Sequence, residues 1–261
     1  MGKFDSSLTR VQPVFDELLS RGPLGQTWLP DLLQLPQRTD GPRQLLPAAP
    51  GSLTPGQSPY EFPVVPSKEY LAWLLHHLPE QERPADTYWD KLSDSTRANR
   101  KKLFEQDPAT LQEALSALDK WPTLPQKAWW LLEGRSMIDC ALITDRMVLF
   151  IEGKRTEEGP SAGTIWAPNR NQVLRNLDCA RALAACTGRP HYYVMLVVEA
   201  YSGQPADDRR AQQHQLVTAP DVVAKSLPHM SEQEQEGALR HYLGVTTWQA
   251  IVSRFGLEPL A

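Results

Sequence analysis

The sequence predicts an α/β protein with a central mixed β-sheet flanked by helices. Helical periodicity fills residues 67–120. Two apolar runs, MIDCALIT and MVLFIEGK, then meet around Thr144-Asp145-Arg146, and a near-continuous apolar run, YYVMLVVEA, follows an amphipathic stretch. A continuous apolar run of that length marks a strand buried on both faces. Helices, strands, helix and strand in that order give a layered α/β architecture.

The elements follow in chain order. The first 66 residues hold 11 of the 23 prolines. Proline removes a backbone donor and biases its predecessor toward extended conformations, which disfavours long helices and central strands there. One short helix is predicted over 11–20. Trp28, Leu29, Leu32, Leu33, Leu35, Tyr60 and Phe62 are too apolar for a solvated tail. Residues 1–66 therefore read as a Pro-rich extended arm that wraps the core or docks on a partner protein. Ser67, followed by Tyr70, Leu71, Leu74 and Leu75, opens a capped amphipathic helix that ends before Pro79. A second helix is predicted over 86–106, and a third from Asp107-Pro108 to just before Pro122. This helical region spans 67–122, and the core with its C-terminal helices spans 123–261. Within the core, 127–155 reads as two or three strands, 157–168 as a loop, 169–186 as a helix and 189–200 as a buried strand. A polar loop containing Asp207-Asp208-Arg209-Arg210 precedes helices near 221–226, 231–242 and 247–255.

Composition narrows the function classes. A chain of 261 residues with 41% apolar content can bury a full core. No run is long enough to cross a bilayer. The first residues, MGKFDSSLTRVQPVFDELL, lack the apolar core of a secretory signal. Cys140, Cys179 and Cys186 form no CxxC pair and read as free thiols of a reducing, cytoplasmic compartment. The net charge of −4 argues against a protein that clamps nucleic acid constitutively. It leaves room for an enzyme that touches a phosphate backbone through one local basic surface.

The chemistry concentrates in 133–155. Strand side chains alternate faces, so Glu152 and Lys154 project together while Gly153 turns away. A hairpin around 144–146 brings Asp139 beside Glu152. Two carboxylates and a lysine at one sheet edge suit a divalent cation and a water nucleophile. Asp139 and Glu152 supply hard oxygen ligands for Mg²⁺ or Mn²⁺, and the Gly153 carbonyl is a third. Lys154 orients or deprotonates the water, or stabilises developing negative charge.

Asp139 followed by Glu152-Gly153-Lys154 resembles the PD-(D/E)XK nuclease superfamily, with its restriction-endonuclease-like core. The order of elements matches as well: a hairpin with the triplet on its second strand, then a helix, then an apolar strand. The likeness covers about 127–200. The first-motif proline is replaced by Ile138. The resemblance implies metal-dependent hydrolysis of phosphodiester bonds, in DNA by preference. It assigns Gln172 as a catalytic assistant from the following helix, whose start also carries Arg170, Arg175 and Asn176. Arg170 and Arg175 become phosphate contacts. Glu133 becomes either the extra metal-site acid of some members or a surface residue.

Weaker signals have plainer readings. Arg97, Arg100, Lys101 and Lys102 form a basic patch that either tracks a phosphate backbone or is a solvated helix face. His76 and His77 are adjacent and point apart, and His214, His229 and His241 lack ligand spacing. Trp129 and Trp130 fit packing better than base stacking. Ser136 and Ser161 have no His and acid partners for a serine hydrolase. Two rivals to the free nuclease stand beside it. One is a binding or scaffolding protein that keeps the fold without catalysis; the other is a nuclease that works only inside a larger complex.

Overall fold

The structure, a computed structural model, describes residues 7–38, 46–81, 84–154, 162–200 and 206–258. Arg155, Ser161 and the first part of the expected 157–168 loop lie outside these residues, as does the side chain of Asp207. The strands are β1 (Tyr60–Val64), β2 (Ser136–Ile143), β3 (Met147–Gly153), β4 (Ala162–Thr164), β5 (Ala167–Asn171), β6 (His191–Val198) and β7 (Tyr242–Thr247). Five of them form a mixed open sheet in the order β1-β2-β3-β6-β7, and β4 and β5 form a separate hairpin. The β2–β3 hairpin turns at 144–146 as expected, with Cys140 opposite Ile151. β3, β6 and β7 run parallel.

Both faces of the sheet are covered. On one, Val148, Phe150, Val194, Leu196 and Val198 pack against Val173, Leu177 and Ala180 of α7 (Gln172–Cys186). α8 (Ala206–Thr218), α9 (Pro220–Ser226) and α10 (Glu232–Leu239) complete that layer. On the other face, Leu142, Leu149, Ile151, Met195 and Val197 pack against α1 (Gln12–Arg21), α2 (Leu29–Gln34) and α11 (Trp248–Phe255). A π-helical turn over Ser7–Val11 joins this layer, held by Arg10 Nε on Glu199 Oε2 at 2.6 Å.

The described part of the N-terminal segment therefore packs as one layer of the molecule, as expected of an arm that wraps the core. Its apolar residues had to be buried, and the second sheet face is where they go. Its prolines are tolerated because α1 and α2 carry them in the first turn and Pro63 lies on the edge strand β1.

The helical region is α3 (Lys68–His76), α4 (Asp86–Trp89), α5 (Asp94–Phe104) and α6 (Pro108–Ala117). Ser67, Ser93 and Asp107 cap α3, α5 and α6 by accepting backbone N–H bonds. The Ser93 cap breaks the single helix expected over 86–106. Residues 127–133 form no strand. The carbonyls of Ala128, Trp129 and Leu131 accept from the Arg100 guanidinium, which replaces a pairing strand. Three further expectations change: β4 and β5 occupy part of the loop, α8 includes 207–210, and β7 cuts short the helix expected over 231–242.

A buried charged network ties the helical region to the sheet layers. Arg170 Nη1 lies 2.6 Å from Glu133 Oε1 and its Nη2 lies 3.1 Å from Asp178 Oδ2. Tyr70 places its ring against that guanidinium and donates its hydroxyl to Glu133, while Ser67 and His229 bond Asp178. These cations and hydrogen bonds hold the Asp178 carboxyl well below its usual range despite complete burial. Arg170→Ala is expected to lower the unfolding free energy by ~3–5 kcal/mol, because it strands two buried carboxylates. Lys101→Ala, on the surface, stays near wild type. Urea denaturation measures both, and a small loss for Arg170→Ala would mean that the network does not hold the layers.

Candidate functional site

The site forms where β2 and β3 reach the same end of the sheet. Regular strands put residues two apart on one face. Tyr60 and Cys140 pack in the second core, yet Phe62 and Ile138, two positions along each paired strand, pack in the first. Both strands turn over between them, at Glu61 and Asp139. Glu61 has φ +46°, the left-handed region that non-glycine residues rarely adopt. This turn-over frees Asp139 from the hairpin ladder, and its Oδ2 accepts the Gly153 N–H at 2.8 Å.

β3 carries Glu152 on the α7 side of the sheet, where it is 1% exposed. Lys154 follows, pinned through its backbone: its N–H donates to Val197 O at 2.8 Å and its carbonyl accepts from Trp248 Nε1 at 3.2 Å. Lys154 Nζ lies 2.8 Å from Glu152 Oε1 and 3.1 Å from Gln172 Oε1. Gln172 is the first residue of α7, whose N-cap Asn171 accepts from the backbone N–H groups of Val173 and Leu174. One turn on, Asn176 Nδ2 donates to Glu152 Oε2 at 3.0 Å. Of the residues expected to act together, Glu152, Lys154 and Gln172 are thus joined by short side-chain contacts, and Asp139 reaches the same strand end through the Gly153 N–H.

The electrostatics are those of two carboxyls competing for limited solvation. Burial, then the charge of Glu152, pushes Asp139 up to about 8, and Glu61 adds to the push. The Gly153 N–H and Lys154 pull the other way. Burial also raises Glu152, against the opposing pull of Lys154, Arg175 and Asn176.

Other expected residues lie elsewhere. Glu133 commits both oxygens to Arg170, Tyr70 and Thr164, so the extra metal acid is corrected to a member of the buried network. Arg170 is 1% exposed and bound to Glu133 and Asp178, which withdraws it from phosphate contact. Arg100 is also buried: it bonds Tyr88 and three backbone carbonyls and lies against the Trp166 ring. Of the basic patch, Lys101 and Lys102 are exposed, while half-buried Arg97 donates to Leu92 O. Arg175 is half-buried beside Glu152.

Sequence reasoning gave no role to Asn176 or Glu61. Asn176 lies four residues after Gln172, a helical spacing that places both on one face. Glu61 stands opposite Asp139 only because β1 pairs with β2, and no spacing in the chain discloses that.

Among the described residues, no group of three or more His, Cys, Asp or Glu side chains is arranged to hold a metal ion. Asp139 and Glu152, both hard oxygen donors, are near enough for the charge of Glu152 to push the Asp139 carboxyl up. Beyond the ion pair with Lys154, the buried Glu152 Oε1 has no hydrogen-bond partner among the described residues. That fits a cation such as Mg²⁺, which keeps most of its waters and needs few protein ligands. Comparison with family models, with curated proteins and with solved structures finds no match.

Asp139 has a consequence for stability. Its raised folded pKa means that the native protein holds a proton which the unfolded chain releases once pH exceeds about 4. The contribution of Asp139 to stability is therefore present in full below about pH 4 and is lost as pH rises to about 8. Asp139→Asn is expected to raise Tm in EDTA at pH 8.5 by about 3 °C or more, a shift that ~1 kcal/mol produces in a chain of this size. The gain should shrink toward pH 5, as thermal denaturation across pH can verify.

Proposed function

We propose that this chain is a metal-dependent nuclease with a restriction-endonuclease-like, PD-(D/E)XK core, hydrolysing phosphodiester bonds in DNA. One observation carries the reading. Lys154 Nζ bridges Glu152 Oε1 at 2.8 Å and Gln172 Oε1 at 3.1 Å, while Asp139 closes on Gly153 at 2.8 Å. A mixed five-stranded sheet, with the triplet at the end of a hairpin's second strand and α7 next to it, supports that reading.

Asp139 and Glu152 would hold Mg²⁺ or Mn²⁺, with the Gly153 carbonyl as a third oxygen. When bound, the cation polarises the phosphoryl group and acidifies a water. Asp139 must lose its proton to serve as a ligand. Lys154 keeps its ammonium group at the position where negative charge develops, and Gln172 holds that group in place through its side-chain oxygen. Arg175, with Arg97, Lys101 and Lys102, is proposed to meet the DNA backbone; the buried Arg100 and Arg170 are not.

The test uses plasmid, linear and single-stranded DNA with Mg²⁺ or Mn²⁺. Glu152→Gln and Lys154→Met are each expected to lower the cleavage rate by ~10²-fold or more, the scale for losing one group that stabilises transition-state charge. Unchanged cleavage in both variants refutes the mechanism, and no cleavage by any form leaves a binding or scaffolding subunit. A second expectation follows from Asp139. The Mg²⁺ concentration giving half-maximal rate should fall as pH rises from 6.5 to 8.5, because protons and metal compete for a carboxyl titrating near 8.

A further inference from the structure

α7 does more at this site than deliver Gln172. Asn176 is fully buried, at 0% exposure, on the helix whose Val173, Leu177 and Ala180 pack against the sheet. Its Nδ2 donates to Glu152 Oε2, but its Oδ1 is buried with no hydrogen-bond partner among the described residues. A buried, half-satisfied amide weakens a core that an apolar side chain of similar shape would fill. What the amide provides is its donor, and that donor has one recipient.

We infer that Asn176 is a positioning residue for the cation site, an inference that rests on the metal-dependent reading above. Its amide anchors Glu152 Oε2 and so leaves Oε1 as the oxygen that faces a cation. In this structure the cation facing Oε1 is the Lys154 ammonium. Gln172 and Asn176, one helical turn apart, divide the work: Gln172 holds the lysine by its oxygen at 3.1 Å, and Asn176 holds the glutamate by its nitrogen at 3.0 Å. Were Oε1 to hold a divalent cation, Gln172 would keep the Lys154 ammonium beside the carboxylate. Without Asn176 the carboxylate is free to rotate, so that both oxygens close on Lys154 and the cation must compete with a tighter ion pair.

The probe is Mn²⁺, titrated into the full chain at pH 8 and followed by the paramagnetic signal of the free ion. Asn176→Leu keeps the branched shape and removes the donor; Asn176→His restores an N–H at the same branch. Circular dichroism and Tm confirm that each variant is folded, and Asn176→Ala replaces the leucine variant should that one not fold. The expected result is Mn²⁺ binding weakened about tenfold or more by the loss of the donor, the scale for removing a partner that orients a ligand. The histidine variant should return to within about threefold of wild type. The rate of DNA cleavage by Asn176→Leu should approach wild type only as Mn²⁺ is raised. Wild-type Mn²⁺ affinity in folded Asn176→Leu overturns the inference, as does a wild-type chain that binds no Mn²⁺. Donor-dependent Mn²⁺ binding without DNA cleavage leaves the inference standing and removes the nuclease reading alone.

Discussion

A carboxylate buried at the end of a central strand constrains everything around it. Glu152 has β2 on one side and β6 on the other, so no solvated edge relieves its charge. Burial alone pushes such a group toward its neutral form, and an unpaired buried charge is costly enough that partners must be built in. Lys154 comes from the same strand, two residues on. Asn176 comes from α7, with Arg175 adding its field from the same helix. The helix must therefore dock with one particular face toward the strand end, and the site follows from that docking.

The opposite side of α7 is held by a second network. Asp178 lies two positions after Asn176, about 200° around the helix, and points at Arg170, Ser67 and His229. Buried ion pairs of this kind are weak devices for net stability. Their geometry is demanding, however, and here it joins the start of α3, β5 and α7 in one arrangement. Arg170 precedes Asn171, the cap of α7, and Gln172, its first residue. Fixing Arg170 in the core thus fixes where the helix begins and where Gln172 and Asn176 sit relative to β3. The helical region is not an appendage to the sheet, since Ser67 and Tyr70 belong to the network that holds α7.

Much of the centre of the molecule was legible in the sequence. The two-residue period of a strand puts Glu152 and Lys154 together whatever the rest of the chain does, and the turn at 144–146 fixes the hairpin that brings in Asp139. Gln172 follows from the family resemblance, by its place at the start of the following helix, and from no period. What was illegible is the choice of partners. Glu133 and Arg170 have the residue types of a metal acid and a phosphate clamp, yet they found each other, because burial favours a mutual ion pair over exposure. Arg100 belongs chemically to a basic patch, but three backbone carbonyls without a strand partner claim it. β7 was missed because YLGVTT is short, carries an interior glycine and follows directly from a helical pattern. The N-terminal layer was hidden by its prolines, which argue correctly against long elements and say nothing about where short ones pack.

That N-terminal layer also explains the residue between Glu152 and Lys154. Gly153 faces away from α7, and a Cβ there would lie 2.7 Å from Val11 Cγ2 and 2.9 Å from Trp248 Cζ2. Neither neighbour is a loose surface chain: both are 0% exposed. Trp248 additionally holds the Lys154 carbonyl through its indole N–H. Any side chain at 153 would push on the ring that positions the backbone of Lys154, and through it the ammonium beside Glu152. The charges of the site thus lie on one face of the sheet, while the packing that sets the position of Lys154 lies on the other. Val11, about 140 residues upstream, and Trp248, near the other end of the chain, together limit which residue can stand between its two charged members.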